Sequence, residues 1–247
     1  RIQRPEGSYD LPRQISALET ETKINLAEYA LIQNWTGCSF KAKSAMSMKQ
    51  RNFPKNGKNH LDSNVAVLKD GLRVSRTSEL IAQIINVNNA LNEKGVLYDA
   101  SGKVIEGQEL ADYAETLNHN CWVWNNESFK KGQGHLDLDV VYITGLGNDG
   151  KPIYEKAPLL PCLSENCYAD LESVNKQGFP TEKSPVQKYE PRKSVYFLHP
   201  GAGRASWFLA GPGGALLYCG GHPQGDDAGL GVFTCTDIAS EKNLKNN

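Results

Sequence analysis

The sequence predicts an α+β fold, with antiparallel hairpins throughout and two or three helices mainly in the N-terminal half. Three observations lead to that class. Apolar residues recur at helical spacing in several stretches of the first half, and short β-prone runs bounded by turn residues recur along the whole chain. The turns are supplied by 23 Gly and 12 Pro in 247 residues. This length suits one large domain or two small ones, and 39% hydrophobic against 22% charged residues is enough to bury a core.

Residues 1–10 are polar, carry Pro5 and Gly7, and read as an arm. Across residues 10–33, Leu11, Ile15, Leu18, Thr22, Leu26 and Tyr29 fall three or four apart, behind Asp10 as N-cap and Pro12 in the first turn. That is an amphipathic helix whose narrow apolar face suits either packing on the domain or a seam for self-association. Residues 37–64 are rich in Lys, Ser and Asn and form a connector with room for a short strand. A hairpin is expected over residues 65–74, where apolar runs flank Asp70-Gly71, a dipeptide suited to the positive φ angles of a type I′ turn.

Ser78 then caps a helix with Leu80, Ile84, Val87 and Leu91 on one face, ended by Gly95. Residues 96–105 read as a hairpin turning at Ala100-Ser101-Gly102, and residues 106–117 as a further helix built on Leu110, Tyr113 and Leu117. Residues 136–146 and 152–160 form another hairpin, joined by Gly147-Asn148-Asp149-Gly150-Lys151. With Pro180, Pro185 and Pro191 and few large apolar side chains, residues 162–194 read as a long loop or linker. Strand character returns at residues 195–198, 205–210, 215–219 and 231–235. The expected organisation is therefore an arm and helix (1–36), an α+β domain (37–161), the long loop or linker (162–194) and a glycine-rich β region (195–247).

Charge excludes several function classes. With 27 basic and 28 acidic side chains the net charge is −1 and no basic cluster forms, so nucleic acid is not an expected partner. No apolar run approaches the roughly 20 residues that span a bilayer, so membrane insertion is not expected either. No signal peptide is read at the start, and a first residue of Arg1 rather than Met leaves a removed targeting segment open.

Six cysteines form an even set with no Cys-x-x-Cys pair, which argues against a zinc ribbon or thioredoxin motif. They fit either reduced thiols in a cytoplasmic protein or a bridged extracytoplasmic one. In the bridged reading, residues 215–219 and 231–235 pair as antiparallel strands and bond Cys219 to Cys235. Cys162 and Cys167 are the next pair, leaving Cys38 and Cys121 to bond or stay free.

Three constellations could carry chemistry. On a strand, His135, Asp137 and Asp139 would share one face, and imidazole with carboxylates suits a divalent metal; the alternative is the wet face of a half-buried strand. Trp122 and Trp124 would stack along one strand face as an aromatic platform for a sugar or a protein partner, or else pack in the core. Gly201-Ala202-Gly203-Arg204 and Gly211-Pro212-Gly213-Gly214 lack the third glycine and the Walker lysine of phosphate loops, so they read as tight turns and no nucleotide cofactor is expected. There is no Gly-x-Ser-x-Gly elbow and no His-Glu-x-x-His helix.

The segment Gly220-Gly221-His222-Pro223-Gln224-Gly225-Asp226-Asp227-Ala228-Gly229-Leu230-Gly231-Val232-Phe233 resembles the glycine-rich segment in the C-type-lectin-like ends of some phage tail and bacterial surface proteins. Cys219 and Pro223 stand where those families carry Arg and Trp. The resemblance implies a surface or virion binding protein with ligand-binding loops, placing His222, Asp226 and Asp227 in such a loop, with a glycan or surface receptor as ligand. The leading expectation is a non-enzymatic structural or binding protein of an extracellular assembly, a phage or viral particle or a cell-surface appendage. It would self-associate or join other assembly proteins and need no cofactor. The alternative is a secreted metal-assisted hydrolase.

Overall fold

The computed structural model describes residues 24–32, 43–53, 58–225 and 230–238. Its order is β1 (Tyr29–Leu31), β2 (Lys43–Ser47), α1 (His60–Leu68), β3 (Arg73–Val74), α2 (Thr77–Leu91), β4 (Leu97–Tyr98), β5 (Val104–Ile105), α3 (Gly107–His119), β6 (Cys121–Lys131), β7 (Leu138–Leu146), β8 (Pro152–Pro158), β9 (Cys167–Asp170), β10 (Ser194–Leu198), β11 (Ala205–Gly211), β12 (Gly214–Gly221) and β13 (Thr234–Ile238). The fold is α+β. A seven-stranded sheet runs β8-β7-β6-β11-β12-β10-β9, a four-stranded sheet runs β1-β2-β13-β3, and β4 pairs with β5. All neighbours are antiparallel except β10 and β12.

The helices expected from residue 78 and residue 106 form as α2 and α3. In α2 the buried Leu80, Ile81, Ile84 and Val87 face the core, and the Glu79 carboxylate accepts the Arg76 amide at 2.9 Å to cap the first turn. Thr77 and not Ser78 starts this helix, which stops at Leu91 before Gly95. The hairpin at residues 96–105 also forms. Its turn is held by the Asp99 carboxylate, which accepts the amides of Ser101 and Lys103 and the Ser101 hydroxyl at 2.6–2.9 Å.

Three expectations change. Residues 10–23 and 33 lie outside the described residues, and the end of the expected first helix is a 3₁₀ turn at Leu26–Glu28 followed by β1. Pairing with β2 overrides the helical spacing there, because it buries Ala30 completely against Met46. The hairpin expected over residues 65–74 is the end of α1, a turn and the short β3. The α1 residues that are buried, His60, Ser63, Asn64 and Val67, do fall three and four apart, but three are polar and hide the helical period in the sequence. Asn59 caps α1 by accepting the Asp62 amide at 2.9 Å.

Residues 162–194 do not run free as a linker. They contain β9 and send the fully buried Phe179 against Phe129, ring centroids 5.5 Å apart. The turn leading to Phe179 needs Gly178, whose φ is +87° and where a Cβ would lie 2.4 Å from the Ser78 amide nitrogen.

The main core joins one face of the long sheet, with Val123, Phe129, Phe197, Phe208 and Leu217, to Leu80, Ile84 and Leu117 of the helices and to Met46 and Cys235 of the small sheet. A second cluster of Phe53, Val67, Val74, Trp124, Leu230 and Val232 lies on the opposite side of β6.

Candidate functional site: an aromatic sheet face beside a buried polar bulge

Strand alternation sorts β6, β11, β12, β10 and β9 into two faces. One supplies the core. The other carries Trp122, Leu209, Leu216, Tyr196 and Tyr168, each the cross-strand partner of the next. Two residues along the same strands lies a second row: Trp124, Trp207, Tyr218 and Leu198. Trp207 and Tyr218 lean together at 4.9 Å between centroids, and Tyr168 meets Tyr196 edge to face at 5.0 Å.

The tryptophan end is covered. Trp124 is buried in the second cluster with its indole N–H donating to the Lys58 carbonyl at 3.0 Å, and Trp122 and Trp207 pack against that cluster. Beyond it, Tyr168, Tyr196, Leu198, Leu209, Leu216 and Tyr218 are half-buried and belong to neither core cluster. Trp122 and Trp124 do lie on one strand face, but they differ in cover. Trp124 is core, Trp122 is at the margin, and the apolar surface continues from them across five strands. Sequence carries a signal for this that the reading passed over: Val195-Tyr196-Phe197-Leu198, Trp207-Phe208-Leu209 and Leu216-Leu217-Tyr218 are apolar on both faces, although only one face meets the main core.

A bulge interrupts the ladder next to this face. Trp124 pairs with Trp207 and Ser128 with Ala205, so Asn125, Asn126 and Glu127 together oppose Ser206 alone. The Asn126 carboxamide replaces missing ladder bonds by accepting the Ile143 amide at 2.7 Å and donating to the Ile143 carbonyl at 3.0 Å. His60 Nε2 lies 2.9 Å and 3.1 Å from the Asn125 and Asn126 carbonyls, which accept only, so Nε2 carries the proton. Burial lowers the His60 pKa to about 4.

Glu127 sits at the N-terminus of α2, accepting the Thr77 amide and hydroxyl, each at 2.8 Å. The Asn125 carboxamide donates to Ser206 at 3.0 Å, and Ser206 lies 3.1 Å from the Thr77 oxygen, so the donors run Asn125, Ser206, Thr77 toward the carboxylate. Burial raises the Glu127 pKa to about 7 against the pull of the Thr77 bonds and the Arg76 charge. Thr77, Asn125, Glu127 and Ser206 are completely buried, so this cluster clamps α2 to the bulge and presents no acid or base to a substrate.

The remaining predicted residues are scattered. His135 and Asp137 lie on a 3₁₀ turn before β7, where Leu136 and Asp137 take φ of 58° and 54°, and so do not share a strand face with Asp139. Asp139 instead binds Lys156 at 2.6 Å and the Gln133 amide at 3.1 Å, which hold its pKa below the usual range. Among the described residues no three His, Cys, Asp or Glu side chains converge as a metal set. His222 is exposed, its Nδ1 accepting the Gln224 amide, while Asp226 and Asp227 lie outside the described residues.

Cys219 and Cys235 are not bonded, for one lies on β12 of the long sheet and the other on β13 of the small sheet, paired to β2 and β3. Cys162 and Cys167 are also free thiols, as is Cys121, while Cys38 lies outside the described residues. Burial pushes the Cys162 thiol up to about 12 and raises those of Cys121, Cys219 and Cys235 well above the usual thiol range, so they stay protonated. No protein-family model matches the chain, and comparisons with curated proteins and with solved structures found no match.

Proposed function

We propose that the chain is a non-enzymatic structural or binding subunit of a larger assembly such as a viral particle, and that it docks a neighbouring subunit on the outer sheet face. The half-buried row of Leu209, Leu216, Tyr196 and Tyr168, outside both core clusters, carries this reading. Tyrosines and leucines spread over adjacent strands offer broad, rigid contact area, and aromatic residues are enriched where protein interfaces are strongest. The buried Glu127 cluster and the protonated thiols add no exposed reactive group. The alternative of a metal-assisted hydrolase loses its stated basis, since His135 and Asp137 precede the strand that was to align them with Asp139.

Native mass measurement and negative-stain microscopy of the full chain test the proposal. Wild type is expected to form species larger than a dimer, and Leu216→Lys, which puts a charge into the row at a half-buried position, is expected to abolish them while the chain stays folded. Wild type that forms nothing larger than a dimer, or large species that survive both Leu216→Lys and Tyr196→Lys, would refute docking on this face.

A further inference from the structure

We propose that two copies of the chain pair through the free edge of β8, antiparallel and centred on Tyr154, joining their long sheets into one. This rests on the assembly reading above and names one partner in it, a second copy.

Among the described residues β8 is the longest strand edge left open. On the far side of the sheet, β9 is covered by residues 182–184, through the Asp170 amide on the Glu182 carbonyl at 3.2 Å and the Ser184 amide on the Tyr168 carbonyl at 2.8 Å. In the small sheet, the Ala100 amide caps β1 at the Tyr29 carbonyl, 2.7 Å away, and Ser75, just past β3, accepts the Asn126 amide at 3.0 Å. The outer side of β8 has no backbone partner among the described residues. It also carries two of the exposed large hydrophobic residues, Ile153 at 50% and Tyr154 at 52%. A bare strand edge with apolar side chains is a template for another strand.

The register of that second strand follows from which groups point outward. The Leu159 amide bonds the Leu138 carbonyl, and the Gly147 amide bonds the Lys151 carbonyl. Antiparallel alternation from these two points turns Ile153, Glu155 and Ala157 toward β7 and leaves the amides and carbonyls of Tyr154 and Lys156 facing out, with the Pro152 carbonyl. Only registers centred on an outward or an inward residue satisfy a twofold axis. Centring on Ile153 bonds only the Tyr154 amides within the strands, to the Pro152 carbonyls, and centring on Glu155 or on Lys156 sets that charge directly against its own copy, which is destabilising. Centring on Tyr154 sets the two rings together, places Ile153 opposite Glu155 of the other copy, and brings Lys151 diagonal to that same Glu155. The Tyr154 amides and carbonyls bond reciprocally, and each Lys156 amide meets a Pro152 carbonyl, so the missing proline N–H leaves only the Lys156 carbonyl without a donor.

A twofold axis through such a pair is perpendicular to the sheet. The outer aromatic faces of both copies therefore lie on the same side, and the dimer presents the docking surface twice.

Sedimentation and native mass of the full chain decide this, in wild type, Tyr154→Lys, Tyr154→Glu and an equimolar mixture of the two variants. Because the Tyr154 side chain is half-exposed, neither substitution should lower the melting temperature. In a Leu216→Lys background, which removes the larger species, expected are dimers with Tyr154 intact, monomers for each Tyr154 variant alone, and recovery of dimer in the mixture as Lys faces Glu. Wild type that stays monomeric up to about 1 mM, a dimer unaffected by either charge, or a mixture that does not recover would each overturn the pairing. Leu216→Lys separates the two proposals: it should keep the edge dimer while losing larger species. Loss of the dimer in Leu216→Lys but not in Tyr154→Lys would overturn edge pairing and leave docking on the aromatic face standing.

Discussion

Two buried residues at the same bulge, Glu127 within it and His60 against its carbonyls, have pKa values shifted in opposite directions. Glu127 has its folded pKa raised from 4.5 to about 7, so its contribution to stability is complete below 4.5 and is lost as pH rises to 7. His60 has its folded pKa lowered from 6.5 to about 4, so its contribution is complete above 6.5 and is lost as pH falls to 4. Between about pH 4.5 and 6.5 the folded chain keeps one proton on Glu127 and the unfolded chain keeps one on the histidine, so the two effects offset. Unfolding by denaturant across that window should show little slope from this pair in wild type. His60→Gln should lose stability as pH rises and Glu127→Gln should gain it, by about 3 kcal/mol each over the window. Equal slopes in the two variants would contradict the assignment. Neither role could be read beforehand: His60 looks like any connector histidine until the carbonyls of Asn125 and Asn126 meet it.

At the scale of elements, residues 162–194 show what composition conceals. The prolines and polar residues are those of a linker, yet Asn175 accepts the amides of Gln177 and Phe179 at 2.9 and 3.2 Å and folds the turn that inserts Phe179 into the core. Phe179→Ala should cost about 3–5 kcal/mol in chemical unfolding, the range for a fully buried aromatic, and a loss under about 1 kcal/mol would restore the linker reading. Elements whose signals are local were legible. The period of Leu80, Ile84 and Val87, the Asp99 turn and the five-residue connection after Leu146 are each contained within one segment. α1 was not, because its buried face is mostly polar and its partners are the β6 bulge and the second cluster.

For the whole molecule, the state of the cysteines reports on the topology. Thiol labelling without reductant should find Cys121, Cys219 and Cys235 unreactive in native protein and, together with Cys162 and Cys167, reactive after unfolding. Recovery of a Cys219–Cys235 peptide would reverse the placement of β13. That placement is the main topological difference from the sequence expectation: β12 forms where it is expected, but the strand expected over 231–235 runs over Thr234–Ile238 and turns away from β12 to sit between β2 and β3. The sequence by itself determined the α+β class, the helices α2 and α3 and the hairpins β4–β5 and β7–β8, since these follow from side-chain period and turn residues close along the chain. Only the tertiary structure decided the partner of β13, the side of the sheet that forms the core, and the clamp that joins Thr77 to Glu127, 50 residues on, and to Ser206. Strand pairing and the burial of polar groups depend on contacts between distant residues, and a local pattern shows that such a residue needs a partner without showing which one it has.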